Sequence, residues 1–213
     1  MTNLLNLQQY KRPYLTDIEL YSCVNATSKA STANSRYGIV KRLIAQGKIL
    51  HIRRGLYCLT DKIGCIVKPY PYELAQYIYG PSYISLETAL SFHKLIPETV
   101  YTFTNVTIKR TKEFNTPLGL FNYVHLPVKN FYTSVELIIE NSYQFFMAKP
   151  WKAICDYVFC SKKDWDLTSL LDNLRINYED LPELRNEEME LLEEYYDYSR
   201  VSLFLKAVKK YER

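Results

Sequence analysis

Apolar positions recur at helical spacing from Tyr37 to Ile44, and two short β-prone apolar runs follow between Lys48 and Thr60. Thr16-Asp17-Ile18-Glu19-Leu20-Tyr21 predicts a short helix. Thr16 stands at the cap and Glu19 three residues on, the spacing at which the two side chains satisfy free amides of the first turn. The polar stretch Asn25 to Ser31 has loop composition. Ser31 or Thr32 then caps a second helix, on which Tyr37, Val40, Leu43 and Ile44 recur at helical spacing. That stripe leaves Asn34, Ser35, Arg36, Lys41 and Arg42 nearer the solvent, and Gly47 ends the helix. Two β-prone runs follow, Lys48–Ile52 and Leu56–Thr60, flanking the tight turn Arg53-Arg54-Gly55. Helix, loop, helix and hairpin within one segment is the element order of a winged helix-turn-helix, with the hairpin as wing.

Gly64, Pro69 and Pro71 predict a boundary near residue 68. Beyond it, Tyr72–Tyr79 and Leu86–Leu95 predict two helices separated by Gly80-Pro81. Val100–Ile108 alternates as a strand, and Phe114–Leu126 reads as a hairpin turning at Pro117-Leu118-Gly119. Helices are expected to return from Ser134. Pro150 sits near the start of one over Lys149–Phe159, and two more are expected over 166–175 and 186–210. The fold class is α+β: a winged helix-turn-helix over residues 1–68, then a larger mixed domain over 69–213 that ends in helices.

Charge changes this picture because it is unevenly placed. The whole chain carries +4. Residues 1–68 hold eleven Lys and Arg against three Asp and Glu, a net +8; residues 69–130 hold five against four, +1; residues 131–213 hold eleven against sixteen, −5. A local surplus of that size gathers polyanions and supplies phosphate contacts. An α-helix fits the DNA major groove and its first side chains reach base edges, so Asn34, Ser35, Arg36, Lys41 and Arg42 are candidate DNA contacts. Arg53 and Arg54 at the wing are candidates for phosphates or the minor groove. The expected partner is double-stranded DNA. The alternative is a protein-interaction module whose basic N-terminal face binds an acidic partner.

The sequence offers little to catalysis. Its six glycines form no dinucleotide or phosphate loop and no nucleophile elbow. Asp164-Trp165-Asp166 could be a metal-binding pair, but no third carboxylate stands in register, and a solvated loop is the better reading. His93 falls on the apolar face of its helix and predicts a hydrogen-bonded, half-buried histidine. Five tyrosines between residues 69 and 83 predict core packing rather than base stacking. Glu187, Glu188, Glu190, Glu193, Glu194 and Asp197 predict a wet helix face. Cys23, Cys58, Cys65, Cys155 and Cys160 are odd in number and lack zinc spacing, which predicts reduced thiols. Lys11 and Arg12 follow the first apolar stretch, the reverse of a secretory signal, and no run has the length of a membrane span. The expectation is a cytoplasmic protein with no metal, no cofactor, no membrane partner and no enzymatic activity.

Three stretches resemble the AbiEi family of bacterial antitoxins: Gly47 to Tyr57 over the wing, Tyr83-Ile-Ser-Leu-Glu-Thr-Ala-Leu-Ser-Phe-His-Lys-Leu-Ile-Pro97, and Ala148-Lys-Pro-Trp-Lys-Ala-Ile-Cys-Asp156. They come in the family's order and spacing across roughly residues 5–160, and the middle block is the most specific. The resemblance implies a type IV toxin–antitoxin or abortive-infection system. Its antitoxin represses its own operon and opposes a nucleotidyltransferase-like toxin without needing a stable complex with it. DNA binding would then fall to Arg36, Lys41, Arg42, Arg53 and Arg54. The chain departs from the pattern in an insertion over 23–33, in Lys149-Pro150-Trp151 where a proline-glutamate pairing is usual, and in its acidic last fifty residues.

Overall fold

The first element of the chain, in a computed structural model describing residues 12–27, 32–63, 67–98, 100–127, 130–196 and 199–211, is a short strand, β1 (Tyr14–Thr16). Residues 1–11 of the apolar start, 28–31 of the polar stretch, Gly64, Cys65 and Asp197 lie outside the described residues. Helix α1 (Asp17–Thr27) starts as the capping spacing requires. The Thr16 amide donates to Glu19 Oε2 at 2.7 Å, and the Glu19 amide donates back to Thr16 Oγ1 at 3.3 Å. The helix extends past the six residues expected, because Leu20, Cys23 and Val24 form a buried stripe that carries it into the polar stretch.

Helix α2 (Ala33–Ala45) is capped by Thr32, whose Oγ1 accepts the Ser35 amide at 3.2 Å. Gly47, at φ +64°, turns the chain out of it, donating to Ile44 O while Lys48 donates to Leu43 O. Strands β2 (Ile49–Arg53) and β3 (Leu56–Leu59) form the hairpin, and β3 is the middle strand of a three-stranded antiparallel sheet ordered β1-β3-β2.

Every residue of β3 is buried, because this sheet is covered on both faces. Tyr57 and Leu59 pack with Leu20, Val24, Val40, Leu43 and Ile49 beneath α1 and α2. Leu56 and Cys58 point the other way, joining Tyr14 and Ile52 in a cluster with Leu74, Ala75, Ile78, Phe121 and Tyr123 from beyond residue 68. The expected boundary near residue 68 is therefore crossed by a shared apolar cluster.

Leu74, Ala75 and Ile78 belong to helix α3 (Pro71–Ile78). It leads into strand β4 (Ser82–Ile84), helix α4 (Leu86–Phe92) and strand β5 (Thr102–Thr107). Strand β4 escaped the sequence reading because three residues carry no period, and α4 stops short of Leu95 because Lys94 adopts φ +61°. Strands β6 (Lys112–Thr116) and β7 (Gly119–His125) form the expected hairpin. The expected return to helix at Ser134 is corrected. Val135–Glu140 (β8) and Tyr143–Ala148 (β9) form a further hairpin, turned by Asn141 and Ser142 at φ +47° and +76°. Two positive-φ residues between β-prone runs suit the right-handed twist of a hairpin, so Asn-Ser was the overlooked signal. The six strands form one mixed sheet ordered β6-β7-β5-β4-β9-β8.

Helices α5 (Pro150–Ser161), α6 (Leu167–Leu174), α7 (Asn186–Tyr195) and α8 (Ser199–Tyr211) complete the described chain. The single helix expected over 186–210 is two, since Tyr196 leaves helical geometry at φ −96°, ψ 68°. The fold is α+β, and α5 through α8 share the largest core with β4, α4 and β9.

Candidate nucleic-acid interface

Helix α2 offers its outer face to solvent. Asn34, Ser35, Tyr37, Gly38, Lys41 and Arg42 are all exposed, while Val40 and Leu43 are buried. Two of the four positions read as the inward stripe are corrected: Tyr37 is 63% exposed and Ile44 38% exposed. Four apolar residues span more of the helix than the sheet beneath can cover, and the half-buried Ile39 completes the inner edge. Asn34, Tyr37, Gly38 and Lys41 thus share one outward face at spacings of three and four. Arg36 lies toward the inner edge, half-buried, with its guanidinium 5.9 Å from the centre of the Tyr21 ring.

Gly38 stands in the middle of this face, and a Cβ added there would meet nothing within 4 Å. Glycine inside a helix costs about 1 kcal/mol relative to alanine. No contact within the described fold requires it.

The hairpin separates the two arginines that the sequence treated as equals. Arg53 pairs with Leu56, so it is the last residue of β2 and the turn consists of Arg54 and Gly55, the latter at φ +80°. A bulge at Ile52 lets that side chain enter the shared cluster and turns Arg53 toward α3. There Arg53 Nε donates to Ile78 O at 2.6 Å, Nη2 to Tyr77 O at 3.1 Å and Nη1 to Arg54 O at 2.7 Å. Three of the five N–H groups of Arg53 are thus directed at carbonyls, two of them at the end of a helix that has no basic residue in its own last turn, a structural role that its place in the sequence did not predict. Arg54 remains exposed at the tip.

The other candidates have local roles. Asp166 caps α6, accepting the Ser169 amide at 2.9 Å and its hydroxyl at 2.6 Å; these bonds hold its carboxyl below the usual carboxylate range. Asp164 accepts Arg200 Nε at 3.1 Å. Among the described residues no group of three His, Cys, Asp or Glu side chains is placed to hold a metal. His93 Nε2 donates to Ala148 O at 2.9 Å and is half-buried, as expected. Tyr70, Tyr72, Tyr77, Tyr79 and Tyr83 pack against neighbouring rings.

One constellation had no place in the sequence reading. On α5, the fully buried Lys152 donates to Asp156 Oδ1 at 2.7 Å, to Tyr196 Oη at 2.7 Å and to Tyr83 Oη at 2.8 Å. Ser85 Oγ donates to Asp156 Oδ2 at 2.7 Å, and the Tyr195 ring lies 3.9 Å from the ammonium. Desolvation lowers the Lys152 pKa, against the opposing pull of Asp156, and raises those of Tyr83 and Tyr196. A Lys and an Asp four residues apart on an otherwise apolar helix was the available signal. With both charges closed off from solvent, the cluster is a buried fastening of α5 to β4 and the end of α7.

No protein-family model matches the chain, and no curated protein matches it in sequence. Among the described residues no helix is long and apolar enough to cross a membrane.

Proposed function

We propose that residues 1–68 form a winged helix-turn-helix that binds double-stranded DNA at the promoter of its own operon, and that the protein is a cytoplasmic, non-enzymatic antitoxin of the AbiEi type. In this reading α2 is the recognition helix. Asn34, Ser35, Tyr37 and Lys41 meet base edges, Arg42 and Arg54 meet phosphates, and Arg36 braces the helix against α1. The region beyond residue 68 opposes a nucleotidyltransferase-like toxin, an assignment carried by the resemblance in residues 83–97 and 148–156. Both blocks contribute side chains to the Lys152 cluster, Tyr83 and Ser85 from the first and Lys152 and Asp156 from the second.

The observation that carries the DNA reading is the outward face of α2: polar, cationic and free of any covering element among the described residues, on a segment with a net charge of +8. The test is fluorescence anisotropy with the duplex upstream of the gene and a scrambled duplex. N34A should lower affinity for the native duplex toward that for the scrambled one, and R54A should weaken both equally.

A second reading, docking of a protein such as the toxin, is favoured by the exposure of Ile18 at 82% and of Tyr37 and Ile44. It predicts that K41A and R54A reduce capture of the purified toxin while retention on either duplex is unchanged.

A further inference from the structure

The middle third of the chain has a net charge of +1, which conceals a cluster: three of its five cations, Lys109, Arg110 and Lys112, fall within four consecutive residues that run from the link after β5 to the first residue of β6. Residues 108–113 are all exposed, and none of these three cations is ion-paired with a carboxylate among the described residues.

The cluster is joined to the hairpin through the end of α3. Lys109 Nζ donates to Gly80 O, two residues beyond the Ile78 carbonyl that accepts Arg53. Strand β2 also lies against β6. Carbonyls at and just beyond the C-terminal end of α3, which carries partial negative charge, thus accept both from Arg53 at the turn end of the hairpin and from Lys109 of the basic link.

Aromatic rings order the lysines. Lys109 Nζ lies 5.1 Å from the Tyr79 ring centre, and Lys112 Nζ lies 5.8 Å from Tyr79 and 4.8 Å from Phe114. An ammonium resting on a ring face keeps donors for a second partner, and its stem is ordered before that partner arrives.

We propose that the Lys109–Lys112 link is a second phosphate-contacting surface, continuous with the hairpin, so that bound duplex DNA extends beyond the N-terminal unit onto the edge of the six-stranded sheet. This rests on the DNA-binding reading and adds a contact region that neither the N-terminal charge nor the wing predicts. Arg110 and Lys112 supply the contacts, and Lys109 mainly holds the link to α3.

The test is the salt dependence of duplex binding by the full chain carrying R110Q and K112Q, beside the charge-retaining R110K/K112R. The slope of log affinity against log salt should fall by about 2, roughly 0.9 per lost phosphate contact, with binding at about 0.1 M salt weaker by ten-fold or more on native and scrambled duplexes alike. R110K/K112R should keep the wild-type slope, and both variants should keep the wild-type thermal midpoint. Wild-type binding with an unchanged R110Q/K112Q slope overturns this surface alone. Absence of wild-type binding to any duplex overturns it together with the DNA-binding reading. Unchanged duplex binding with lost binding to polyglutamate would assign the link to an acidic protein instead, and also overturns it.

Discussion

Gly38 is a cost to the fold that its surroundings do not explain, and this gives it a prediction with two opposite signs. G38A should stabilise the protein by up to about 1 kcal/mol, since alanine fits the open space and favours the helix. If α2 enters a groove closely, the same methyl should weaken duplex binding. Thermal denaturation and anisotropy on one preparation test both, and a stabilised variant that binds as well as wild type would leave the glycine without a role in recognition. Arg53 and Arg54 separate in the same way. R53A should cost about 1–3 kcal/mol, because it removes the donors from the Tyr77 and Ile78 carbonyls, while R54A should leave urea stability unchanged. A stable R53A would contradict its place as a clamp. The sequence made Arg53 and Arg54 alike because both sat in an assumed three-residue turn. Strand pairing and a bulge decided which of them faced inward, and neither is visible without the partner strand.

Helix α5 and the elements fastened to it carry the second set of expectations. Removing one partner from a buried ion pair strands the other charge, so K152M should cost about 3–5 kcal/mol in urea denaturation, and K152M/D156L less than the sum of the two single changes. Additive losses would show that the pair is not coupled. Alkaline pH acts on this region and on the clusters around the N-terminal sheet as well. Burial raises the hydroxyl pKa of Tyr14, Tyr83, Tyr123 and Tyr196 and pushes Tyr57 up to about 12. Each proton is held more firmly in the fold than in the unfolded chain. The stability they contribute is full below the ordinary tyrosine value of about 10 and is lost as pH rises through the folded values. Lys152, whose pKa is lowered, runs the other way but is one group against several. The thermal midpoint should therefore fall as pH rises from about 10 towards 12, and a flat profile over that range would contradict the burial of these hydroxyls. Long periodic elements were legible in the sequence: α2, the β2–β3 hairpin, and α5 from its proline start. Elements were missed where length or context ruled, as in three-residue β4 and the β8–β9 hairpin, whose Val-Glu-Leu-Ile-Ile-Glu run shows no strict alternation.

Across the whole molecule, the cluster of Tyr14, Ile52, Leu56 and Cys58 with Leu74, Ala75, Ile78, Phe121 and Tyr123 joins what composition divides at residue 68. A fragment of residues 1–68 would expose the underside of its own sheet and should lack a cooperative thermal transition, whereas the full chain should melt in one. An independently folded fragment would contradict the shared core. Charge by thirds located the basic segment correctly but averaged away Lys109, Arg110 and Lys112, because a sum over sixty residues cannot register four that a turn brings beside the hairpin. The central claim is that this surface binds DNA and reads its sequence. The most direct test is the affinity of the wild-type chain for its own upstream duplex and for a scrambled one, from about 50 to 200 mM salt. The account predicts tight binding that prefers the native duplex and weakens steeply with salt; equal or absent binding to the two duplexes would contradict it.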